Sequence, residues 1–329
     1  MGQADLDVVG IGNAIVDVIA RSDEQTIEKH GLPKGAMTLI DARQAQDLYT
    51  AMGPGQESSG GSVGNSMAGL ASLGSRGAFI GKVRNDQLGG IFRHDLRAIG
   101  IQFDTPSAEE GDPTARCLVF VTPDAQRTMA TYLGISTQLG PDDLDFDLIR
   151  RSKVTYLEGY LWDAPPAKEA FVQAAKAAHD AGKRVALSLS DPFCVERHRE
   201  SFRDLLKGHV DILFANEDEI TALYEVDTFD EALQHVRGHC EVAALTRSAK
   251  GSLVLSGDEV HVVDAEPISQ LVDTTGAGDL YAAGFLHGFT QGQSLYECGR
   301  TGAIAAAEVV THVGARPQVP LTELVQGQR

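Results

Sequence analysis

Asp273-Thr-Thr-Gly-Ala-Gly-Asp279 runs straight into Leu-Tyr-Ala-Ala-Gly-Phe-Leu-His-Gly-Phe289, a loop of small residues feeding an apolar-periodic segment. Gly276, Ala277 and Gly278 leave the backbone amides bare. Leu280, Ala283, Leu286 and Phe289 recur on one helical face, so Asp279 opens a helix. Unpaired N–H groups and the macrodipole at a helix start favour an anion. A carboxylate at the same point repels a phosphate unless a metal or a proton transfer justifies it. The pairing therefore suggests a general base beside a phosphoryl group. An acidic residue favoured by the helix dipole alone is the plainer alternative.

Working back from that stretch, the pattern from about residue 150 alternates regularly. Strands are expected at 153–157, 184–188, 212–214 and 242–245, with helices over 165–181, 197–207, 217–224 and 229–237. Such units imply a parallel sheet covered by helices on both faces. Ser252 to Val263 alternates around Gly257-Asp258 as a hairpin. A helix over 296–311 and a Pro-bearing tail without a strong signal follow.

The first half has a different texture. Asp7-Val-Val-Gly-Ile-Gly12 reads as a buried strand, and 15–19 and 35–40 as two more. A helix at 42–51 ends before Gly53-Pro-Gly55, and residues 58–65 read as a loop of small residues entering a helix at 66–73. A core strand at 78–81 and a helix at 88–99 come next. Arg116 to Thr122 and Arg127 to Leu133 flank Pro123-Asp-Ala-Gln126 as a hairpin, which with 15–19 and 35–40 would form a small separate sheet. The expected fold class is α/β, a doubly wound and mostly parallel sheet flanked by helices. Residues 1–16, 42–102 and 136–329 form its core, and 17–41 with 103–135 form the small β unit.

The 329 residues suffice for such a core, with 43% hydrophobic residues. A net charge of −18 argues against binding nucleic acid or an anionic membrane. Cys117, Cys194, Cys240 and Cys298 form no Cys-x-x-Cys pair, which fits isolated thiols in a reducing compartment and not a zinc site. No basic segment followed by an apolar run suggests a signal peptide, and Leu6 breaks the lipidation pattern that Met1-Gly2 begins. The expectation is a soluble, cytoplasmic protein, monomer or homodimer. Gly10-x-Gly12 fails as a dinucleotide fingerprint because the third glycine would fall at Ile15, and no Walker-type loop occurs.

Three features fall where strands of a doubly wound sheet end, and ligands collect there. They are Asp191, Asn216 with Glu219, and Thr246-Arg247. Asn216 and Glu219 fit a capping box, and the same geometry could hold Mg²⁺ through its waters. Together the parts resemble the ribokinase-like, or PfkB-type, carbohydrate and nucleoside kinases along nearly the whole chain. Asp273 to Asp279 matches that family's C-terminal signature, Gly60-Gly61 with Asn65 its N-terminal one, and Asn216-x-x-Glu219 its metal-associated motif.

The resemblance implies an ATP-dependent kinase. Asp279 would be the base that takes a proton from a primary hydroxyl, and the amides of Gly276, Ala277 and Gly278 would stabilise the transferring phosphoryl. Asn216 and Glu219 would position Mg²⁺. Asn13, Asp17, Gly61 and Asn65 would hold sugar hydroxyls. Arg127 would reach the phosphates from the small sheet, which would act as a lid. Thr246, Arg247, Gly251, Thr275 and Gly278 would line the nucleotide. Some relatives bind K⁺ there, with Asp273 and Thr275 contributing. Thr246-Arg247-Ser248 departs from the family's usual Thr-x-Gly, and Ser lacks glycine's access to positive φ.

Within the family, Gly12-Asn-Ala-Ile-Val-Asp17, Ser62 and Arg127 to Leu133 resemble the adenosine kinase branch, where ribokinases usually carry Lys in place of Ser62. That implies adenosine as acceptor and a place in purine salvage. Ile15, Met37 and Met129, with Tyr160 or Trp162, would offer apolar surface to a base, or they are simply core residues. A sugar kinase acting on ribose, fructose or a keto-deoxy sugar acid is the alternative, with Arg116 as the spare arginine for an acid. A non-catalytic nucleotide-binding regulator is a third reading, and an intact Asp279 argues against it.

Overall fold

The computed structural model describes residues 5–124 and 126–327. Met1 and Gly2, Ala125 of the hairpin turn and the outermost positions of the expected core lie outside the described residues. The chain opens with β1 (Leu6–Ile11), β2 (Ile15–Arg21), α1 (Glu24–Lys29), β3 (Met37–Leu39), α2 (Ala42–Ala51) and β4 (Gly55–Gly60). Next come α3 (Ser62–Ser72), β5 (Gly77–Ile80), α4 (Gln87–Ala98), β6 (Ala115–Val121) and β7 (Arg127–Tyr132). Then α5 (Phe146–Arg151), β8 (Ser152–Glu158), α6 (Pro165–Asp180), β9 (Arg184–Ser188) and α7 (Pro192–His209) alternate. They lead to β10 (Ile212–Asn216), α8 (Glu217–Tyr224), α9 (Phe229–Val236) and β11 (Val242–Thr246). The hairpin of β12 (Ser252–Ser256) and β13 (Glu259–Val263) precedes α10 (Ala277–Thr290), α11 (Leu295–Val309) and α12 (Leu321–Gln326).

The large sheet has the order β13-β12-β11-β10-β9-β8-β1-β5, parallel except for the hairpin edge. Its inner strands are apolar on both faces, as a sheet covered on both sides requires, while the edge strand β13 is largely exposed. Val9, Leu213 and Leu245 pack with α5 to α9, while Val8, Phe214 and Ala244 pack with α3, α4, α10 and α11. The small sheet has the order β3-β7-β6-β2-β4. Its outer face rests on α1 and α2 through Val18, Leu118, Phe120, Ile27 and Leu48.

The structure corrects several sequence expectations. Residues 55–60, read as a break and loop, form β4 and pair antiparallel with β2. Gly and Ser favour strands weakly, and cross-strand pairing overrides that preference. Residues 55–60 therefore join the small sheet, while Gln102 and Ala108 bridge to Ala78 and Arg84 beside β5. The helix expected from 66 begins at Ser62, and the one expected at 197–207 spans 192–209 with non-helical backbone at His198. Part of the tail forms α12. Among the described residues no helix is long and apolar enough to cross a membrane.

Glycines set how closely α10 approaches its neighbours. A Cβ on Gly69 of α3 would meet Leu280 Cδ1 at 2.6 Å, and one on Gly284 would meet Thr301 O at 2.4 Å and Gly302 Cα at 2.7 Å. Gly284→Ala should cost about 1–3 kcal/mol through overpacking, despite alanine's better helix propensity. Gly90→Ala, where an added Cβ meets nothing within 4 Å, should be neutral or stabilising. Denaturant midpoints at constant slope test the contrast, and equal midpoints for the two variants would contradict it.

Candidate active site

Strand order reverses between β1 and β8, since the chain steps from β1 outward to β5 and later resumes on the other side. Ligands collect at such a switch point, beyond the C-terminal strand ends. Asn13 follows β1 and Glu158 ends β8. Asn13 Nδ2 donates to Glu158 Oε1 at 2.7 Å, and Ser136 Oγ donates to Asn13 Oδ1 at 2.8 Å. Glu158 Oε2 accepts from the Val63 N–H at 3.1 Å. Burial pushes the Glu158 carboxyl up to about 7, against the hydrogen bonds that favour its charged form. Asn13, expected to hold hydroxyls, thus has both amide ends engaged by protein. Glu158 and Ser136 were not singled out from sequence. The one available signal was an acidic residue closing a buried apolar strand.

The glycine loop is shaped by its neighbours' oxygens. A Cβ on Gly60 would meet Asp17 Oδ2 at 2.5 Å, and one on Gly61, at φ 82°, would meet Asn13 O at 2.4 Å. The loop feeds α3, whose first turn turns its donors on Asp279. Ser62 Oγ donates to Asp279 Oδ1 at 2.6 Å, and Asn65 Nδ2 to Oδ2 at 3.0 Å. Ser66 Oγ donates to the Asp279 carbonyl at 3.0 Å. Burial pushes the Asp279 carboxyl up to about 6, and the Ser62 and Asn65 hydrogen bonds restrain that rise.

Gly276 caps α10 at φ 82°, with Ala315 packed against it. The Ala277 N–H turns back to Thr274 O at 3.2 Å. That corrects the expectation of three bare amides. Among the described residues, those of Gly276 and Gly278 have no protein acceptor, and a Cβ on Gly278 would meet nothing within 4 Å. An open, donor-lined space lies at the helix start.

Asp17 lies on β2 between β6 and β4. Burial pushes its carboxyl up to about 6, opposed by the charges of Arg316 and Arg127. Strand registers place Asp17, Cys117, Thr131 and Leu39 in one row, and Ile19, Val119, Met129 and Met37 in the next. Cys117 is the register partner of Asp17, a placement that the spacing of the cysteines does not reveal. Burial pushes it up to about 12. Ile15 and Met129 are half-buried and Met37 is exposed. Arg127 Nη1 donates to Asp273 Oδ2, and both side chains are nearly buried. Trp162 stacks on Phe202 in the core and offers the site nothing, whereas Tyr160 is partly exposed. Arg116 lies over Tyr49 and reaches Gln46 of α2, away from Asp279.

At the other end, Asn216 and Thr246 are register partners on β10 and β11. The capping box is complete. Asn216 Oδ1 accepts from the Glu219 N–H at 2.9 Å, while Glu219 accepts from the Asn216 N–H at 3.0 Å and Nδ2 at 2.7 Å. Burial, then repulsion from Asp191, Asp218 and Asp279, pushes Glu219 up to about 7. No group of three or more acidic, His or Cys side chains among the described residues forms a direct metal cage. The donors fit a hydrated divalent cation held through its waters.

Arg247 turns away onto Glu217 at 3.1 Å and over the Phe229 ring at 4.3 Å. Ser248 adopts φ 52°, the conformation expected to need glycine. The turn is kept, at a strain of about 1–2 kcal/mol. Gly251 sits at φ 81° where a Cβ would meet Val263 O at 2.1 Å. Thr275 donates its N–H and Oγ1 to Asp273 Oδ1 at 3.0 and 2.6 Å.

The chain resembles solved and curated proteins over most of its length. It is 52% identical to the adenosine kinase of Sinorhizobium meliloti, covering 99% of this chain and 100% of that one, with a TM-score of 0.92. It is 48% identical to a probable sugar kinase protein of Rhizobium etli CFN 42, covering 99% of both chains, with a TM-score of 0.91. An uncharacterized sugar kinase of Archaeoglobus fulgidus is 29% identical over 77% of this chain and 98% of its own. The family model for pfkB family carbohydrate kinases matches residues 6–322. With that match spanning both sheets and every element of the cleft, the chain belongs to the pfkB family of carbohydrate kinases.

Proposed function

We propose that this kinase transfers the γ-phosphoryl group of ATP to the 5′-hydroxyl of a nucleoside, converting adenosine to AMP. The observation that carries the reading is the Asp279 carboxylate. It is aimed by Ser62 and Asn65 beside the unpaired amides of Gly276 and Gly278. Asp279 takes the hydroxyl proton as that oxygen attacks the γ-phosphorus. The bond to the β–γ bridging oxygen breaks, and ADP leaves. The two free amides stabilise the charge on the transferring group. Asp17 accepts from the sugar hydroxyls, with Gly61 and Asn65 closing the acceptor pocket. Asn13 sets their position from below. Arg127 exchanges Asp273 for the phosphates. Thr246, Gly251 and Thr275 border the nucleotide.

Asn216 and Glu219 would hold hydrated Mg²⁺, which supplies neutralising charge to the ATP phosphates. A K⁺ ion at Asp273 and Thr275 would share Asp273 with Arg127. The apolar row of Ile19, Val119, Met129 and Met37, with Ile15 and the Tyr160 ring, suits a flat base. Likeness to the Sinorhizobium meliloti adenosine kinase supports the same acceptor. A sugar kinase is the alternative, favoured by the Rhizobium etli and Archaeoglobus fulgidus likenesses. Its sugar-acid form loses Arg116, which stands elsewhere. Four free cysteines are consistent with a cytoplasmic setting.

General-base catalysis contributes ~10²–10⁴ in rate, so Asp279→Asn should lose at least about that in kcat with the fold intact. Near-normal turnover in a coupled ATPase assay would sink the assignment. Because Asp279 must be ionised to act and sits near 6, kcat/KM should fall as pH drops below about 6. Ser62→Ala removes a donor that favours the charged form and should move that acid limb to higher pH. An unmoved limb would deny Ser62 this role. The acceptor is tested by turnover across adenosine, other nucleosides, ribose and fructose. Strong turnover of a free sugar with none for adenosine would reverse the choice.

A further inference from the structure

Arg316 lies beyond α11 in a segment pinned at several points. Glu308 accepts from the Gln318 N–H at 2.9 Å and the Val319 N–H at 3.3 Å, and pairs with His312 at 3.1 Å. The Gly314 N–H donates to Asp273 Oδ2 at 3.1 Å, and Ala315 stands 2.8 Å from where a Gly276 Cβ would be. Arg316 is thereby fixed on the wall of the cleft, next to the phosphate loop. Its Nε and Nη2 are buried and make no hydrogen bond. Among the described residues it forms no ion pair, although Asp17 and Asp95 are near enough for their charges to act on it. Asp95 already accepts from the Ser59 N–H at 2.8 Å, and Arg127 is taken by Asp273. Asp17 accepts from no protein donor among the described residues.

A half-buried carboxylate without a protein donor and a guanidinium with two buried, unpaired nitrogens therefore lie near one another, unjoined. Leaving such groups without partners is costly, so the arrangement points to a ligand. A carboxylate only accepts hydrogen bonds and a guanidinium only donates them. A hydroxyl does both, and two adjacent hydroxyls satisfy both groups at once. We propose that Arg316 is a specificity-determining residue of the acceptor site, reading with Asp17 a vicinal diol such as that of a ribose ring. The diol hydrogens go to Asp17, and its oxygens accept from Arg316. A carboxylated acceptor fits less well, because Asp17 balances the charge of Arg316. The inference rests on the proposed phosphoryl transfer to a nucleoside or sugar.

The test compares the full-length protein with Arg316→Met and Arg316→Lys on adenosine, 2′-deoxyadenosine and 3′-deoxyadenosine. If the acceptor panel selects a sugar, that sugar and its deoxy analogues replace them. Charge-assisted hydrogen bonds of this kind are worth about tenfold to hundredfold in binding. Arg316→Met should raise KM for the diol acceptor by about that factor and leave KM for ATP unchanged. Its preference for the diol over the deoxy analogues should shrink, and Arg316→Lys should recover part of it. A merely structural role would lower the melting temperature and change KM for ATP as well, which would overturn the assignment. Undiminished diol preference in Arg316→Met, or faster turnover of a carboxylated sugar than of any neutral diol, would also overturn it. Wild-type turnover of no nucleoside or sugar would remove the functional reading and this inference together. Wild-type turnover with an unaltered preference in the variant removes this inference alone.

Discussion

Two hydrogen bonds that cross from α3 to α10 hold the cleft together. Ser62 and Asn65, three residues apart on one helical turn, each donate to one oxygen of Asp279. That spacing puts both donors on the same face. The geometry works only because α3 and α10 approach to a distance that Gly69 permits, and α11 closes on α10 over Gly284. The helix packing therefore sets where the carboxylate stands. Its orientation is fixed by the protein alone, as the proposed general base would require.

The electrostatics follow from that packing. Asp17, Glu158, Glu219 and Asp279 are all pushed up by burial, to between about 6 and 7. Mutual repulsion adds to the rise at Glu158 and Glu219. What separates their roles is the donors each meets. Glu158 is engaged by the Asn13 amide and the Val63 N–H, and Glu219 by the N–H and amide of Asn216. Asp279 meets two side-chain donors, one on each oxygen. In a chain of net charge −18, the proposed anion site would rely on neutral dipoles and Arg127, without an extended basic surface.

Local patterns in the sequence were enough for the doubly wound sheet and most of its helices, because the strands are continuous apolar runs and the caps are strong. Asp273 to Asp279 and Gly60-Gly61 were legible for a related reason, since backbone sterics demand small residues there. Residues 55–60 were not, because Gly and Ser form a strand only when β2 is beside them. Ser248 was misjudged by propensity, where the surrounding turn overrides the strain. Ser136 and Glu158 needed the meeting of β1 with β8, and Arg316 needed a tail without periodicity to fold back on Gly276. No window of sequence contains such juxtapositions.

The Arg127–Asp273 pair joins the small sheet to the phosphate loop, and its two ends are unequal. Asp273 also accepts from the Thr275 N–H, the Thr275 hydroxyl and the Gly314 N–H. Arg127 Nε is buried with no partner. Breaking a nearly buried pair outright would strand two charges, at about 3–5 kcal/mol. In the proposed transfer an arriving phosphate would change that balance, because Arg127 would exchange one carboxylate oxygen for a group of greater charge with more acceptors. Asp273 then loses one donor and retains three. The exchange would run toward the phosphate because the carboxylate left behind would still be solvated by the loop. On that proposal, the same pair that joins the small sheet to the phosphate loop would hand its arginine to the nucleotide.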